Sequence, residues 1–378
     1  MLLSLVLALG PFSSTVDAPP QEKVDQSRRT VWAAGEAGYH TFRIPAVIAA
    51  PSGDLLAFCE GRKNGQSDTG DIDLVMKRST DGGATWSKNR VLWDDGDNVC
   101  GNPCPVVDAS TGTIHLFSTR NLGTDKEHEI IAGKSKGTRT VWVLTSKDSG
   151  KTWSEPRDVT GSTKRPGWTW YATGPGIGIQ LLRGEHAGRL VIPCDHIEAG
   201  TKYYFSHALL SDDHGKTWRI GGHSTRRKLN ECQVAEWSDG TLVMNMRNYD
   251  RTKKTRAVMR SKDGGETWGD VTWDESLPDP ICQAGLLAVH LSTTGKPTDQ
   301  SAVLYFSNCA SETKRVRMTL RKSLDGGRSW DEGQVLHAGP SAYSCLVALR
   351  EPRGGYRVGC LFECGEKSSY ERIDWAVR

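Results

Sequence analysis

The chain has 378 residues, of which 37% are hydrophobic and 25% are charged, a balance typical of a soluble globular protein and not of an extensively disordered one. Its 48 Lys and Arg residues barely exceed its 45 Asp and Glu residues, and the basic residues are scattered along the sequence. Neither a nucleic-acid binder nor a polybasic membrane binder is therefore indicated. The length fits one large domain, or two at most.

The N-terminal segment has the pattern of an export signal. Leu2–Leu9 is a short apolar run, and the small and turn-forming residues after it end at Ala18. Because a membrane-spanning helix needs about 20 apolar residues, the run is too short to cross a bilayer. We predict a signal peptide over residues 1–18, a linker over 19–30, and a secreted or periplasmic protein. Since no Lys or Arg precedes the apolar run, a disordered apolar tail is the alternative.

One octapeptide pattern, Ser-x-Asp-x-Gly-x-Thr/Ser-Trp, recurs five times, too often to be chance. Asp accepts hydrogen bonds from amides of a turn, Gly supplies a positive φ, and Trp can fold back under the turn as an apolar plug. Apolar or alternating runs come before the boxes, so each box predicts a hairpin turn between two strands. The boxes start at Ser79, Ser146, Ser211, Ser261 and Ser323.

The boxes start 50 to 67 residues apart, and no long amphipathic helical pattern lies between them. This repeat predicts an all-β fold, a six-bladed β-propeller of four-stranded antiparallel blades over residues 31–378, with one blade lacking a box. We expect the sixth blade to close where the strand near Val31–Trp32 joins C-terminal strands around Tyr356–Phe362 and Arg372–Val377. The boxes themselves are interpreted as structural turns on the outside of the blades.

The ten cysteines do not have the spacing of a disulfide framework, because most stand singly in apolar stretches. Free cysteine behaves as a small buried hydrophobe, so core filling is expected. Two close pairs, Cys100/Cys104 and Cys360/Cys364, leave a local disulfide open as the alternative. Neither pair has the further His or Cys ligands of a zinc site, and we expect no metal.

Charged residues within predicted strands are the first indication of a functional site. Arg43 and Arg247 lie inside otherwise apolar runs. A buried arginine is costly unless it is paired or binds an anion. Two further segments, Asn230–Gln233 and Ser307–Arg321, also place polar or charged residues where strands are expected.

With these motifs in this order, the chain resembles the sialidase family from Tyr39 to Trp375. Asp boxes alone occur in other propellers. The combination of the boxes with the arginines, Glu231 and Tyr343, which lies late in the sequence, is highly specific for the family. The Gly174–Leu181 segment (GPGIGIQL) is similar to that of lysosomal and bacterial members. The resemblance implies an exo-α-sialidase, a glycoside hydrolase that acts on sialylated glycans without a cofactor or metal.

The resemblance implies that Arg43, Arg247 and Arg315, here called the arginine triad, bind the substrate carboxylate. Guanidinium groups suit this ligand because they bind carboxylates bidentately. For each arginine the alternative is an ordinary ion pair, above all for Arg315, which lies in a basic stretch that also contains Arg317. Glu363 is implied as the residue that supports Arg43.

Tyr343 is implied as the nucleophile and Glu231 as the base that activates it. A carboxylate nucleophile would approach a carbon that already bears a carboxylate, and like charges close together are costly. A neutral phenol avoids this repulsion, and sialidases are known to use a tyrosine. Since the ordinary pKa of a phenol is about 10, the phenol needs a base beside it. The alternatives are a half-buried strand tyrosine and a glutamate that only pairs with Arg247.

The resemblance implies Asp68, in the polar loop after Glu60, as the general acid and base. Its offset from the following strand and box matches that of the family acid, although a loop Asp is usually only a turn residue. Asp71 and Asp73 are the alternatives, and Asp73 is expected to face out from its strand.

Further substrate contacts follow from the resemblance, each at one part of the sugar. Arg62 is expected to contact the 4-hydroxyl group, and Asn102 is expected to line the N-acetyl pocket. The residues expected near the glycerol chain are Tyr171, Asp195 and Tyr203.

These roles predict a retaining double displacement. Asp68 protonates the leaving glycan oxygen while Glu231 deprotonates Tyr343, which attacks the anomeric carbon, and water activated by Asp68 then releases sialic acid. The alternatives are a trans-sialidase, an intramolecular trans-sialidase, and a non-catalytic glycan-binding propeller. The last is disfavoured because a degenerate binder should have lost the Tyr, the Glu or the Asp. We expect a monomer with no nucleic-acid partner.

Overall fold

The computed structural model describes residues 28–292, 300–351 and 354–378, so the predicted signal peptide lies outside the described residues. Within these ranges the regular secondary structure is almost entirely β-strand, with two short helices, α1 (Glu127–Ile131) and α2 (Thr160–Thr163). Neither helix has the length or the apolar character that crossing a membrane requires.

The strands form six antiparallel blades, as the box repeat predicts, and the first three blades follow one another in chain order. Blade 1 contains β2 (Thr41–Ala49), β3 (Leu55–Arg62), β4 (Ile72–Ser79) and β5 (Arg90–Trp93). Blade 2 contains β6 (Val99–Asp108), β7 (Thr113–Asn121), β8 (Thr140–Ser146) and β9 (Arg157–Asp158). Blade 3 contains β10 (Trp168–Thr173), β11 (Ile179–Gln180), β12 (Leu190–Glu198), β13 (Tyr204–Ser211) and β14 (Arg219–His223).

The remaining three blades complete the ring, and the last two of them share one long strand. Blade 4 contains β15 (Leu229–Glu236), β16 (Leu242–Asn248), β17 (Thr255–Ser261) and β18 (Thr272–Pro278). Blade 5 contains β19 (Gly285–Ser292), β20 (Gln300–Cys309), β21 (Val316–Ser323) and the first part of β22 (Gln334–Arg350). Blade 6 contains the second part of β22, β23 (Tyr356–Cys364), β24 (Arg372–Val377) and β1 (Arg28–Ala33).

The ring closes by pairing the two ends of the described chain. Strand β1 pairs antiparallel with β24, from Arg28 opposite Ala376 to Ala33 opposite Arg372, as predicted for the sixth blade. Strand β1 begins at Arg28, within the segment predicted as a linker, so the last residues of that segment belong to the blade. This pairing of β1 with β24 completes blade 6, which packs against blade 1. Both blades contribute side chains to the site described below.

Each Asp box forms the turn between the third and fourth strands of its blade, and the third box illustrates why. Ser211 donates a hydrogen bond to Asp213 (2.9 Å) and accepts one from the amide of Gly215 (2.9 Å). The Trp218 ring folds back and donates to the Gly215 carbonyl at 3.0 Å. It also packs edge-on against Phe117 of the preceding blade, with ring centroids 4.6 Å apart. The box therefore shapes a turn and fills the space between two blades.

The cysteines fill the core, as expected. All ten are buried and free, and none of them forms the local disulfide that the spacing had left open. They lie in apolar clusters between neighbouring blades, for example Cys345 in the cluster between blades 6 and 1 and Cys104 in that between blades 2 and 3.

Candidate active site

One polar pocket receives side chains from all six blades. The first strands of the blades supply many of these side chains, because first strands surround the axis of a propeller. Nine of the predicted site residues line this pocket: Arg43, Arg62, Asp68, Asn102, Asp195, Glu231, Arg247, Arg315 and Tyr343. The fold therefore brings together side chains as far apart in the sequence as Arg43 and Tyr343.

Arg43 is held by a carboxylate from the opposite end of the chain. The Glu363 side chain, which is fully buried, accepts hydrogen bonds from Arg43 Nε at 3.1 Å and Nη2 at 3.2 Å. The next residue, Ile44, has a φ of 62°, at a point where the pairing of β2 with β3 shifts its register. Its amide donates to Glu363 at 2.8 Å. The irregular strand and the carboxylate thus fix the guanidinium.

Glu231, Arg247 and Tyr343 form one hydrogen-bonded group. The Tyr343 hydroxyl donates to Glu231 Oε1 at 2.6 Å and lies 2.9 Å from Arg247 Nη1. Arg247 Nη1 also donates to the other Glu231 oxygen at 2.6 Å. Glu231 therefore contacts both the arginine and the tyrosine. A phenol at this distance can pass its proton directly to the carboxylate.

The surroundings of Tyr343 keep its hydroxyl protonated at rest. Burial raises its pKa well above the ordinary value, and the negative charge of Glu231 raises it further, while the arginine triad acts in the opposite direction. The amide of Tyr343 donates to Glu363 at 3.0 Å, so the same carboxylate positions Arg43 and the backbone of the tyrosine.

Arg315 differs from its two partners because neutral groups hold it. Its Nη1 lies 3.2 Å from the Tyr370 hydroxyl, and its Nη2 donates to the carbonyl of Ile281 at 2.8 Å. No acidic side chain within the described ranges forms an ion pair with it. Its positive charge is therefore free to bind an anion in the pocket.

Asp68 lies at the mouth of the pocket on the loop between β3 and β4. Its side chain is 52% exposed, and Arg62 donates to it at 2.6 Å, with Arg43 Nη1 at 3.9 Å. Partial burial acts to raise its pKa, but the positive charges of Arg62 and Arg43 outweigh burial and lower the pKa below its usual value. Arg62 is in turn fixed by Glu60, to which its Nε donates at 3.0 Å.

The two alternatives to Asp68 do not line the pocket. The expectation that Asp73 faces out from its strand is wrong, because its side chain is 1% exposed. It is buried because Tyr39 donates a hydrogen bond to it and Lys63 lies beside it. Asp71, Asp73 and Asp94 are close enough together to resemble a cation site. The Lys63 ammonium group lies within 4 Å of a carboxylate oxygen of each and supplies the positive charge there.

Asn102 and Asp195 lie on the walls of the pocket. Asn102 has a φ of 54° at a register shift of β6, and its amide donates to Glu60 at 2.8 Å. Asp195 is fully buried and accepts a hydrogen bond from Asn230 at 2.8 Å. Burial, and then the charge of Glu231, raise the pKa of Asp195 well above its ordinary value.

The prediction for Tyr171 and Tyr203 is corrected, because neither lines the pocket. Tyr171 points into the core, where its hydroxyl donates to the carbonyl of Thr163 at 3.1 Å. The Tyr203 ring instead lies against Arg227, 4.8 Å from its guanidinium carbon. The residues that do line the pocket are their neighbours in the sequence, Trp170 and Tyr204.

Sequence reasoning missed several lining residues, because they stand in loops or polar segments. Arg139 is buried before β8, donates to Asn121 at 3.0 Å, and has its guanidinium carbon 4.0 Å from the Trp170 ring centroid. Glu127, on α1, accepts a hydrogen bond from the Tyr204 hydroxyl at 2.6 Å. The signal that could have found Arg139 is the one that found Arg43, an arginine at the edge of an apolar strand.

The fold and the pocket define a class, an Asp-box β-propeller with an arginine-rich pocket at its centre. The family model described as BNR repeat-like domain matches residues 53–357. A sialidase of Micromonospora viridifaciens is 36% identical over 356 residues, which cover 90% of this chain and 53% of that protein. An exo-alpha-sialidase of Aspergillus fumigatus is 33% identical over 372 residues, which cover 89% of this chain and 84% of that protein. The chain therefore belongs to the sialidase family, a family of glycoside hydrolases.

A solved structure agrees with this assignment. The structure described as Hadza microbial sialidase Hz136 has a TM-score of 0.80 and 32% sequence identity, over 93% of this chain and 68% of that one. The chain spans about half the length of the Micromonospora relative and most of the length of the Aspergillus one.

Proposed function

We propose that the chain is an exo-α-sialidase, which hydrolyses terminal α-ketosidically linked sialic acids of glycoproteins, glycolipids and oligosaccharides. The observation that carries the proposal is the 2.6 Å hydrogen bond from the Tyr343 hydroxyl to Glu231, inside a pocket that also holds the arginine triad. A tyrosine with its own base is the nucleophile that a substrate with a carboxylate on its anomeric carbon requires.

The arginine triad binds the substrate carboxylate in this proposal. Arg315 supports the assignment most strongly, because its charge is not already matched by an acidic side chain in the described part of the protein. Arg43 and Arg247 keep their directions through Glu363 and Glu231, so the three guanidinium groups need little rearrangement on binding. Bidentate contacts then fix the anomeric carbon beside the tyrosine.

The first chemical step forms a covalent glycosyl–tyrosine intermediate. Glu231 takes the phenol proton, the Tyr343 oxygen forms a bond to the anomeric carbon, and the bond from that carbon to the leaving oxygen breaks. Asp68 gives its proton to the leaving oxygen. Because Arg62 and Arg43 lower the pKa of Asp68 in the free protein, substrate must raise that pKa on binding, and its carboxylate does so by partly neutralising Arg43.

The second step releases the sugar with its original anomeric configuration. Asp68, now ionised, takes a proton from a water molecule, whose oxygen forms the new bond to the anomeric carbon. The bond to Tyr343 breaks and the phenol recovers its proton from Glu231. Two displacements on opposite faces give net retention.

The walls of the pocket match the rest of a nine-carbon acidic sugar. Arg62 and Asn102 both line the pocket, which supports assigning Arg62 to the 4-hydroxyl group and Asn102 to the N-acetyl group. Asp195, with Trp170 and Tyr204 in place of the residues first expected, forms the side proposed for the glycerol chain. The Oδ1 atom of Asp195 is buried without a hydrogen-bond partner among the described residues, so it is available to a substrate hydroxyl group.

The experiment that tests the proposal measures release of 4-methylumbelliferone from its α-sialoside. We expect turnover by the wild type, and a loss in Tyr343→Phe and Glu231→Gln of about two orders of magnitude or more in kcat/KM. Tyr305→Phe, which removes a hydroxyl group outside the pocket, is the matched control and is expected to keep wild-type activity. A folded wild type that cleaves neither this substrate nor natural sialosides would refute the proposal.

The product distinguishes hydrolysis from its alternatives. NMR of the reaction mixture is expected to show free sialic acid, released first as the α-anomer. An anhydro sugar would indicate an intramolecular trans-sialidase, and a new sialoside formed with added lactose would indicate a trans-sialidase.

We also propose that the protein is exported, on the basis of the Leu2–Leu9 run, and that it acts as a monomer with residues 31–378 as one catalytic unit. N-terminal sequencing of protein from the culture medium, with cleavage expected near Ala18, tests export. Light scattering tests the monomer.

A further inference from the structure

We infer that Lys63 is a positioning residue for the general acid, because its ammonium group joins the two ends of the loop that carries Asp68. This inference rests on the proposed function, in which Asp68 protonates the leaving oxygen. Lys63 does not line the pocket and therefore acts only through the loop.

The loop, here called the acid loop, spans residues 63–71 between β3 and β4. Its two ends meet where the amide of Lys63 donates to the carbonyl of Asp71 at 3.1 Å. Farther along, the carbonyl of Gln66 accepts a hydrogen bond from Arg62 at 2.6 Å, and the amide of Gly70 donates to Gly123 at 2.9 Å. The placement of Asp68 therefore depends on how firmly the ends of the loop are fixed.

The Lys63 ammonium group is surrounded by carboxylates from three places in the fold. Its Nζ atom lies 3.0 Å from Asp71, 3.3 Å from Asp73 and 3.6 Å from Asp94. Asp73 is buried in β4 and accepts a hydrogen bond from Tyr39 at 2.5 Å, so it provides a rigid anchor. Asp71 belongs to the acid loop itself, so the lysine connects the loop to that anchor.

The charges explain why this lysine cannot be replaced by an apolar residue without moving the loop. One positive charge lies among three carboxylates, and without it Asp71 and Asp73 would face each other partly buried and unpaired. Like charges repel most strongly where water is excluded. Asp71 is the carboxylate that can move, since it lies in the loop, and its movement displaces Asp68 three residues before it.

A displaced acid has a specific kinetic signature. An aryl sialoside has a stable leaving group that departs without much protonation, whereas an alkyl sialoside such as 3′-sialyllactose needs a proton on its leaving oxygen. A misplacement of about 1 Å can reduce a rate about 100-fold. The ratio of kcat/KM on the two substrates therefore reports the position of the acid, while a general loss of folded protein lowers both values equally.

The experiment compares Lys63→Met and Lys63→Arg with the wild type on 4-methylumbelliferyl sialoside and on 3′-sialyllactose. For Lys63→Met we expect kcat/KM to fall roughly 10- to 100-fold on sialyllactose, and about 2-fold or less on the aryl substrate. Lys63→Arg keeps the charge and is expected to restore most of the sialyllactose activity. Lys254→Met, which removes an exposed ammonium group 3.3 Å from Glu312, is the matched control and should change neither value.

Two further variants keep the test decisive if Lys63→Met does not fold. Tyr39→Phe loosens Asp73 with the lysine in place, and it should lower sialyllactose activity selectively, by a smaller factor. Asp68→Ala combined with Tyr39→Phe should be no worse on sialyllactose than Asp68→Ala alone, because the acid that Tyr39→Phe would displace is already absent. Equal losses on both substrates, or no loss in Lys63→Met, would overturn the inference. A wild type inactive on both substrates would instead refute the proposed function.

Discussion

Replacing Glu363 by glutamine is expected to weaken both the fold and the substrate-binding pocket. The side chain keeps its shape but loses its charge and one acceptor oxygen. Glu363 is fully buried and joins three segments, since it accepts hydrogen bonds from Arg43, Ile44 and Tyr343. The variant therefore tests whether one carboxylate organises an arginine of the triad and the backbone of Tyr343, the proposed nucleophile.

The expected loss of stability follows from the number of N–H groups that donate to Glu363. Oε1 accepts from Arg43 Nε (3.1 Å) and the Ile44 amide (2.8 Å), while Oε2 accepts from Arg43 Nη2 (3.2 Å) and the Tyr343 amide (3.0 Å). A glutamine has one oxygen, so in either orientation two of these donors face an NH₂ group. Breaking a buried ion pair on one side costs roughly 3–5 kcal/mol, and we expect a loss of this size in the free energy of unfolding.

The assay combines urea unfolding with inhibitor binding. We expect the lower stability to be accompanied by weaker binding of 2-deoxy-2,3-didehydro-N-acetylneuraminic acid, whose carboxylate needs Arg43 in place. Glu155→Gln, at an exposed position, is the control and should leave both unchanged. The reasoning is refuted if Glu363→Gln unfolds within about 1 kcal/mol of the wild type, which is the size of an average point mutation.

Three further predictions concern stability and surface chemistry. Burial lowers the pKa of His196 and of His207 in the folded protein. Below about pH 6.5 the unfolded chain therefore binds more protons than the folded protein, and the free energy of unfolding should fall from pH 6.5 to 4.5. His196→Phe keeps the stack on Trp168 and should reduce that slope by about 1.4 kcal/mol per pH unit in urea titrations. Asp213→Ala removes the box hydrogen bond to the Thr217 amide (2.9 Å) and should lower Tm by a few degrees with kcat/KM unchanged. Ellman's reagent should label no cysteine of the native protein and all ten after denaturation.

The architecture could be predicted because each box carries its own structural information. The Ser, Asp, Gly and Thr of a box bond to one another across a few residues, as in the turn from Ser211 to Thr217, so the local sequence is sufficient to define a hairpin. Five hairpins at regular spacing then leave one blade to be built from the two ends of the chain. The pairing of β1 with β24 completes that blade.

The walls of the pocket were harder to predict, because they depend on local irregularities of the strands. Alternation along β10 would place Trp168 and Tyr171 on opposite faces, but the pairing of β10 with β12 shifts its register between them, and both lie in the core. Trp170 reaches the pocket while Tyr171 enters the core. The prediction for Asp73 was wrong for a different reason. A single carboxylate in a strand is expected to face solvent, and only the structure shows that Lys63 lies beside it in the fold.

The charges of the pocket give a physical reason for the tyrosine nucleophile of the proposed mechanism. The arginine triad carries three positive charges, and Glu231 and Glu363 match two of them through their ion pairs. One positive charge remains for the single carboxylate of the substrate. A carboxylate in place of Tyr343 would add a negative charge beside that of the substrate, where burial makes repulsion strongest. In the proposed mechanism the phenol instead passes its proton to Glu231 only 2.6 Å away, so the sum of charges stays constant while the nucleophile forms.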